Sequence, residues 1–246
     1  MNTVPESAGM RYLELAQGLI TRLCESQWPQ ISAAAHLVAD TVAARHTVHV
    51  FGTGHSHMLA EELFYRAGGL VRVSPILFDG LMLHSSAPLS TSLERLSGLA
   101  DALLLDHPIV PGDVLIVASN SGSNAVSSEL VQRVTQGGVS VIAVTSLQHS
   151  TSVQARSNQQ PRLHELADIV IDNGGCVGDA AVSIRGFDTR VAPTSTVVGA
   201  AILNAMVAEA VQLMVERGVV PEVYSSSNTA GGDAANSRYI GQGVLR

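Results

Sequence analysis

Five short runs of β-branched and aliphatic residues, most of them separated by stretches with helical spacing, constrain this chain more than any other feature. The runs are Thr47–Gly52, Leu70–Ile76, Val114–Ser119, Val139–Thr145 and Asp168–Asp172, and the helical patterns among them are Met58–Ala67, Ser92–Leu105 and Ala125–Gln136. Strands this apolar along their whole length need cover on both sides, so they predict an α/β fold with a mostly parallel sheet between two helical layers. Upstream, Met10 to Arg45 carries Leu13, Ile20 and Leu23, then Ile31, Leu37, Val38 and Val42. Pro29 falls between these runs, where it suits the first turn of a second helix, and the spacing predicts a helical hairpin. Downstream, Pro193–Arg217 predicts the longest late helix, with Gly218 as its stop. No repeat or linker interrupts the chain. The expected organisation is therefore one domain over 1–246, with a helical extension over 1–45, an α/β core over 46–217 and a loop-like C-terminal segment over 218–246.

Composition narrows the function classes. With 46% hydrophobic and 14% charged residues, the chain has the makings of a sizeable core rather than of a disordered segment. A net charge of −7, without an arginine-rich run, argues against nucleic acid as a partner. Cys24 and Cys176 are isolated and read as free thiols in a reducing compartment. The first residues lack a basic segment followed by an apolar core, so no secretory signal is expected. The apolar stretch Val197–Val215 is broken by Asn204, Glu209 and Gln212, which suits a buried helix better than a membrane span. A cytoplasmic protein without a membrane partner is expected.

Two strand ends carry unusual loops. In open α/β sheets ligands bind beyond the carboxyl ends of the strands. Here these ends read Phe51-Gly-Thr-Gly-His-Ser56 and Ala118-Ser-Asn-Ser-Gly-Ser-Asn124, each entering a helical pattern. The first is not a dinucleotide fingerprint, because His57 replaces the third glycine and Ser74-Pro75 stands where an acidic residue should end the second strand. No G-K-[ST] follows, so it is not a P-loop. A serine-rich loop entering a helix can hold a phosphate dianion through backbone N–H groups, the helix dipole and hydroxyls, here Ser56, Ser119, Ser121 and Ser123. Any one of these serines could be an N-cap, but three in the second loop exceed what one helix start requires.

The pairing of these two loops resembles the sugar isomerase (SIS) domain family, over roughly Arg45–Arg217. Gly178-Asp-Ala180 and Pro193-Thr-Ser-Thr196 extend the likeness, and His55-Ser-His-Met-Leu-Ala-Glu-Glu-Leu63 looks most like the phosphoheptose isomerase branch. The resemblance implies a flavodoxin-like three-layer sandwich with a five-stranded parallel sheet, a phosphorylated sugar as ligand, and a homodimer or homotetramer with sites at subunit boundaries. It places phosphate ligands on Ser56, Ser119, Ser121 and Asn124, with Gly54, His55, Asn120 and Ser123 completing the loops, and a catalytic carboxylate on Glu62. Phosphoheptose isomerases carry a metal-binding histidine where Met58 stands, and histidines in the last helix, whereas Ala205–Glu216 has none. His57 and Glu61 lie four apart and would share a helix face, but two ligands do not make a site. No metal and no cofactor are expected.

Interconverting an aldose and a ketose phosphate through an enediol requires a base for the carbon proton and an acid–base group to open the ring. Glu62 is the expected base, His57 the group beside the phosphate loop, and His84, in the loop after the second strand, a third candidate. Glu94, read in Ser92-Leu-Glu-Arg95 as opening a helix, is expected to complement the dipole. No role falls to His149 or the other histidines, and the segment Ser227–Asn236 suits a lid. Three functions remain open: a phosphosugar isomerase, a phosphosugar lyase or etherase, and a phosphosugar-binding regulator.

Overall fold

The computed structural model describes residues 7–152 and 161–240. It opens with one helical run rather than a hairpin: α1 (Ala8–Arg22), a π turn over Leu23–Gln27, and α2 (Trp28–Ala43). Pro29 sits in the first turn of α2. The wider π turn before it absorbs the lost hydrogen bond, so the proline interrupts the ladder without turning the chain back.

The remaining elements follow in order: β1 (Val48–Gly52), α3 (His57–Leu63), β2 (Val73–Ile76), α4 (Ala87–Leu93), α5 (Leu99–Asp106), β3 (Val114–Ala118), α6 (Ala125–Gln136), β4 (Ser140–Thr145), α7 (Leu147–Ser152), α8 (Leu163–Leu166), β5 (Ile169–Asp172), β6 (Ala180–Ile184), β7 (Phe187–Pro193), α9 (Ser195–Glu216) and α10 (Gly232–Ser237). Strands β1–β5 form one parallel sheet in the order β2-β1-β3-β4-β5. This is the flavodoxin-like arrangement, with its reversal of strand order between β1 and β3.

Alternation along the strands builds two cores. Val50, Ile116, Ile142 and Ile171 face a layer made by α1, α2, α3 and α9. Phe51, Leu115, Val117 and Val141 face α5, α6 and α8. By length and composition α9 could cross a membrane, yet Ile202, Leu203, Met206 and Ala210 are buried in the first core, against α2.

Two expectations change here. The pattern over Ser92–Leu105 is split between α4 and α5 by Gly98, at φ 88°, a left-handed conformation that suits glycine. The hairpin β6–β7 between β5 and α9 was not legible in the sequence.

At the opposite, amino end of the sheet, Asp113 is buried and accepts from the Thr47 N–H (2.9 Å), the Val110 N–H (3.1 Å) and His49 Nε2 (3.2 Å). Burial alone would raise Asp113, but the two amides and His49 outweigh it and hold its carboxyl below the ordinary range. Burial lowers His49 despite the neighbouring carboxylate, and its buried Nδ1 has no hydrogen-bond partner among the described residues. Both shifts make the unfolded chain bind more protons than the folded one, so stability rises with pH. For His49 the loss begins as pH falls below about 6.5, its unfolded value, and for Asp113 it continues through the acidic range. Melting temperature is expected to fall more steeply between pH 7 and pH 5 in the wild type than in His49→Gln, which cannot titrate there. Parallel melting curves for the two chains would remove this assignment.

Candidate functional site

A cleft of about 330 Å³ opens at the carboxyl ends of β1 and β3, beside the reversal of strand order where open α/β sheets hold ligands. The parallel register Gly52↔Ala118 brings the two loops of the sequence side by side. Gly54, His55, Ser56, Ser119, Asn120, Ser121 and Asn124 all line the cleft. Ser123 is buried and does not line it.

The hydroxyls divide by what already holds them. Ser119 Oγ accepts from the Gly122 N–H at 3.1 Å, which closes the loop and leaves its proton to give. Gly122 makes this turn at φ 60°, with Thr145 and Leu163 packed where a side chain would go. Ser56 and Asn124 stand at the N-cap positions of α3 and α6, but neither side chain makes a capping bond. Ser56 and Ser121 therefore present hydroxyls to the cleft, whereas the Asn124 amide is committed elsewhere. Asn120 is braced from the neighbouring strand end, where Asn173 Nδ2 donates to its Oδ1 at 3.0 Å.

Two carboxylates line the cleft, Glu94 and Asp179, and Glu94 stands beside the two loops. It lies at the C-terminal end of α4, not at a helix start. There the helix dipole does not favour negative charge, and two side chains from the loops after β1 and β3 hold it instead. Thr53 Oγ1 donates to Glu94 Oε2 at 2.9 Å, and Asn124 Nδ2 donates to the same oxygen at 2.8 Å. Glu94 Oε1 has no hydrogen-bond partner among the described residues. The sequence held one signal for this: Ser86-Ala-Pro88 marks an earlier helix start, Ser86 Oγ capping the Leu89 N–H at 3.4 Å. That start puts Glu94 at the C-terminal end of the helix, where the dipole disfavours an acid.

The opposite wall comes from beyond β4 and β5. His149, on α7, accepts the Gly178 N–H at Nδ1 over 3.2 Å. Burial lowers its proton affinity, with Asp179 acting against that. An N–H aimed at Nδ1 fixes the neutral tautomer, so Nε2–H is the group left for a ligand. Asp179, at φ 65°, accepts the Thr194 and Ser195 N–H groups at the start of α9 (3.1 and 2.9 Å) and the Ser195 hydroxyl (2.5 Å).

The three expected catalytic side chains lie outside this lining. Glu62 Oε1 accepts from Arg66 and from Asn204 Nδ2 of α9, the latter at 2.7 Å. His57 is buried with Nδ1 on the Gly54 carbonyl and Nε2 3.8 Å from Glu61. His84 is exposed, its ring centre 6.2 Å from that of His57. No three His, Cys, Asp or Glu side chains converge as a metal site among the described residues. The described part of the C-terminal segment, residues 218–240, does not line the cleft either. Tyr224 packs between Tyr65 and Tyr239 (centroids 4.9 and 5.8 Å), and Asn236 brackets both main-chain groups of Ser225 at 2.9 Å.

The loops and the sheet order have a counterpart among known families: the SIS domain matches residues 11–146. The chain belongs to the SIS domain family. A UPF0309 protein of Listeria monocytogenes serotype 4b is 40% identical over 229 residues, 93% of each chain. One of Geobacillus thermodenitrificans is 44% identical over 210 residues, 85% of this chain and 84% of the relative. Among solved structures, a phosphoheptose isomerase from Francisella tularensis superposes with a TM-score of 0.53 at 14% identity, over 82% of this chain and 95% of the other. A second, from Neisseria gonorrhoeae, gives 0.51 at 13% identity over 84% and 96%. At these identities the structural likeness establishes a shared SIS fold. The family match ends at Ser146, so His149, Asp179 and Ser195 complete the cleft from chain beyond it.

Proposed function

We propose that the chain binds a phosphorylated sugar in this cleft and interconverts its aldose and ketose forms through an enediol. The observation that carries this reading is the meeting, in one cleft, of loop hydroxyls and a carboxylate oxygen that have no partner among the described residues with a histidine whose Nδ1 receives a backbone N–H. The phosphate is held by the 119–124 loop, with Ser56 facing it. Two neighbours of the same fold are phosphoheptose isomerases, which supports a sugar phosphate as the ligand class. Glu94 Oε1 takes the proton from the carbon beside the carbonyl and returns it to the adjacent carbon. His149 Nε2–H donates to the oxygen on which charge develops, a task a neutral imidazole performs without first losing a proton.

Phosphorylated sugars are expected to raise the melting temperature and their unphosphorylated forms to leave it unchanged. Ligand at a hundredfold its dissociation constant adds about 2.7 kcal/mol. Ser121→Ala is expected to weaken that binding by about 1.5–3 kcal/mol without loss of fold, since it removes a hydrogen bond to a charged group. Equal shifts with free sugars would remove the phosphate site. Incubation in deuterium oxide with hexose, heptose and aminosugar phosphates then reads the chemistry. Deuterium beside the carbonyl supports isomerisation, loss of a substituent from the sugar replaces it with a lyase, and binding without exchange replaces it with a regulator.

A further inference from the structure

A second pocket, of about 210 Å³, lies between the chain that leaves α3 and the C-terminal segment. Tyr65, Arg66, Tyr224 and the serines Ser225, Ser226 and Ser227 line it, and it shares no residue with the cleft. Main-chain bonds build it. The Gly68 N–H donates to the Tyr224 carbonyl at 2.9 Å and the Tyr224 N–H to the Gly69 carbonyl at 3.0 Å. Segments far apart in sequence are thereby laid side by side, and Asn236 fixes the serine run by holding Ser225.

The Tyr224 hydroxyl points to a ligand. Tyr224 is 4% exposed, and its hydroxyl is buried with no hydrogen-bond partner among the described residues. Burial, then the neighbouring Tyr65 and Tyr239, raise its proton affinity, so it stays a donor. Buried hydroxyls are seldom left unpaired, because losing water without gaining a partner costs free energy.

The groups around it call for an acceptor. Ser226 Oγ accepts the Asn228 N–H at 3.3 Å and Ser227 Oγ accepts from Asn236 Nδ2 at 3.4 Å, so each hydroxyl has its proton left to give. Arg66 commits one guanidinium nitrogen to Glu62, and its other N–H groups have no partner among the described residues. No carboxylate lines the pocket. Hydroxyl donors beside a guanidinium, without a competing acid, match an oxyanion. Pockets that hold whole organic ligands run to about 300–1,000 Å³, so this smaller one suits a compact group. A phosphate offers more acceptor oxygens to these donors than a carboxylate does.

We propose that this pocket is a second anion site, separate from the cleft, which binds a phosphate group through the Tyr224 hydroxyl, Arg66 and the serines 225–227.

Equilibrium dialysis of the full chain against labelled inorganic phosphate, at fixed ionic strength, tests this. It is run in the Ser121→Ala chain, whose cleft is impaired for phosphate, so the result stands whether or not the cleft takes a sugar phosphate. That chain is expected to bind phosphate, and adding Tyr224→Phe or Arg66→Gln to weaken binding at least about tenfold, as loss of a hydrogen bond to a charged group does. In phosphate-free buffer Tyr224→Phe is expected to melt no lower than its parent, because it removes a buried hydroxyl that has no protein partner. Glycerol 3-phosphate is dialysed in parallel. Binding of either ligand that both substitutions weaken supports the proposal, and the tighter of the two says whether a free ion or an ester is held. Binding of neither, or binding that Tyr224→Phe and Arg66→Gln leave unchanged, overturns it. A lower melting temperature for Tyr224→Phe in phosphate-free buffer overturns the role of the hydroxyl, since it would then serve the fold.

Discussion

Glu94→Gln is expected to reduce solvent-proton exchange into a bound sugar phosphate by roughly 10²–10⁴-fold, the contribution of a positioned general base, while affinity persists. The substitution keeps the geometry. Thr53 and Asn124 both donate to Oε2, so the amide oxygen of Gln takes that place and the NH₂ replaces the unengaged oxygen in the cleft. That group cannot accept a carbon-bound proton. The proposed phosphate site is Ser121 and its loop, and the one loop residue that Glu94 contacts, Asn124, keeps its bond to the amide oxygen. Glu62→Gln and Glu61→Gln are the comparisons. The Glu62 carboxylate is occupied by Arg66 and Asn204, and Glu61 faces His57 on α3, so both variants are expected to keep exchange. Loss in either of them with full activity in Glu94→Gln would put the base on α3 and leave Glu94 as a brace between the two loops.

The sheet was legible because its strands are apolar on both faces. Predicted runs and observed strands agree to within a few residues, and α6 begins and ends at Ala125 and Gln136 as its periodicity indicates. The loops after β1 and β3 were legible for a related reason: their Gly and Ser clusters lack the apolar bulk that marks a core. The other half of the site was hidden by register. Reading Ser92 rather than Ser86 as a helix start turned Glu94 from a carboxylate braced in a cleft into a dipole partner. His149 and Asp179 acquire their places only when β4 and β5 deliver α7 and the base of the hairpin to the same cleft wall, a relation between segments with no local pattern. Pro29 misled in the opposite way, since a π turn can absorb a proline that a regular helix cannot. The hairpin escaped because β7 is polar, charged and exposed, without the alternation by which a half-buried strand is recognised.

Gly52→Ala is expected to be the most damaging single methyl group that can be added at the cleft. Gly52 ends β1, and a Cβ there would fall 2.6 Å from the Ser56 carbonyl carbon, against its oxygen, and 2.9 Å from the Ser56 Cβ. Two of these atoms are backbone, so no rotamer change relieves the contact. Either β1 leaves its register with β3 or the Thr53–Ser56 loop moves out of the cleft. Overpacking of this kind costs about 1–3 kcal/mol, and each kcal/mol lowers the melting temperature of a chain this size by about 2–4 °C. The functional loss should be larger than the loss of stability, because the displaced loop carries Ser56 and also Thr53, which holds Glu94. Gly54→Ala provides the contrast. Gly54 has a positive φ of 57°, but a methyl group added there would meet no atom within 4 Å, so it bears a conformational cost of about 1–2 kcal/mol without a collision. Thermal melts and sugar-phosphate titrations of both variants distinguish the two costs. Gly52→Ala should lose binding beyond what its melting temperature explains, whereas Gly54→Ala should bind in proportion to its folded fraction. If Gly52→Ala melts and binds like the wild type, the close approach of β1 to the Ser56 backbone is not what shapes the first loop.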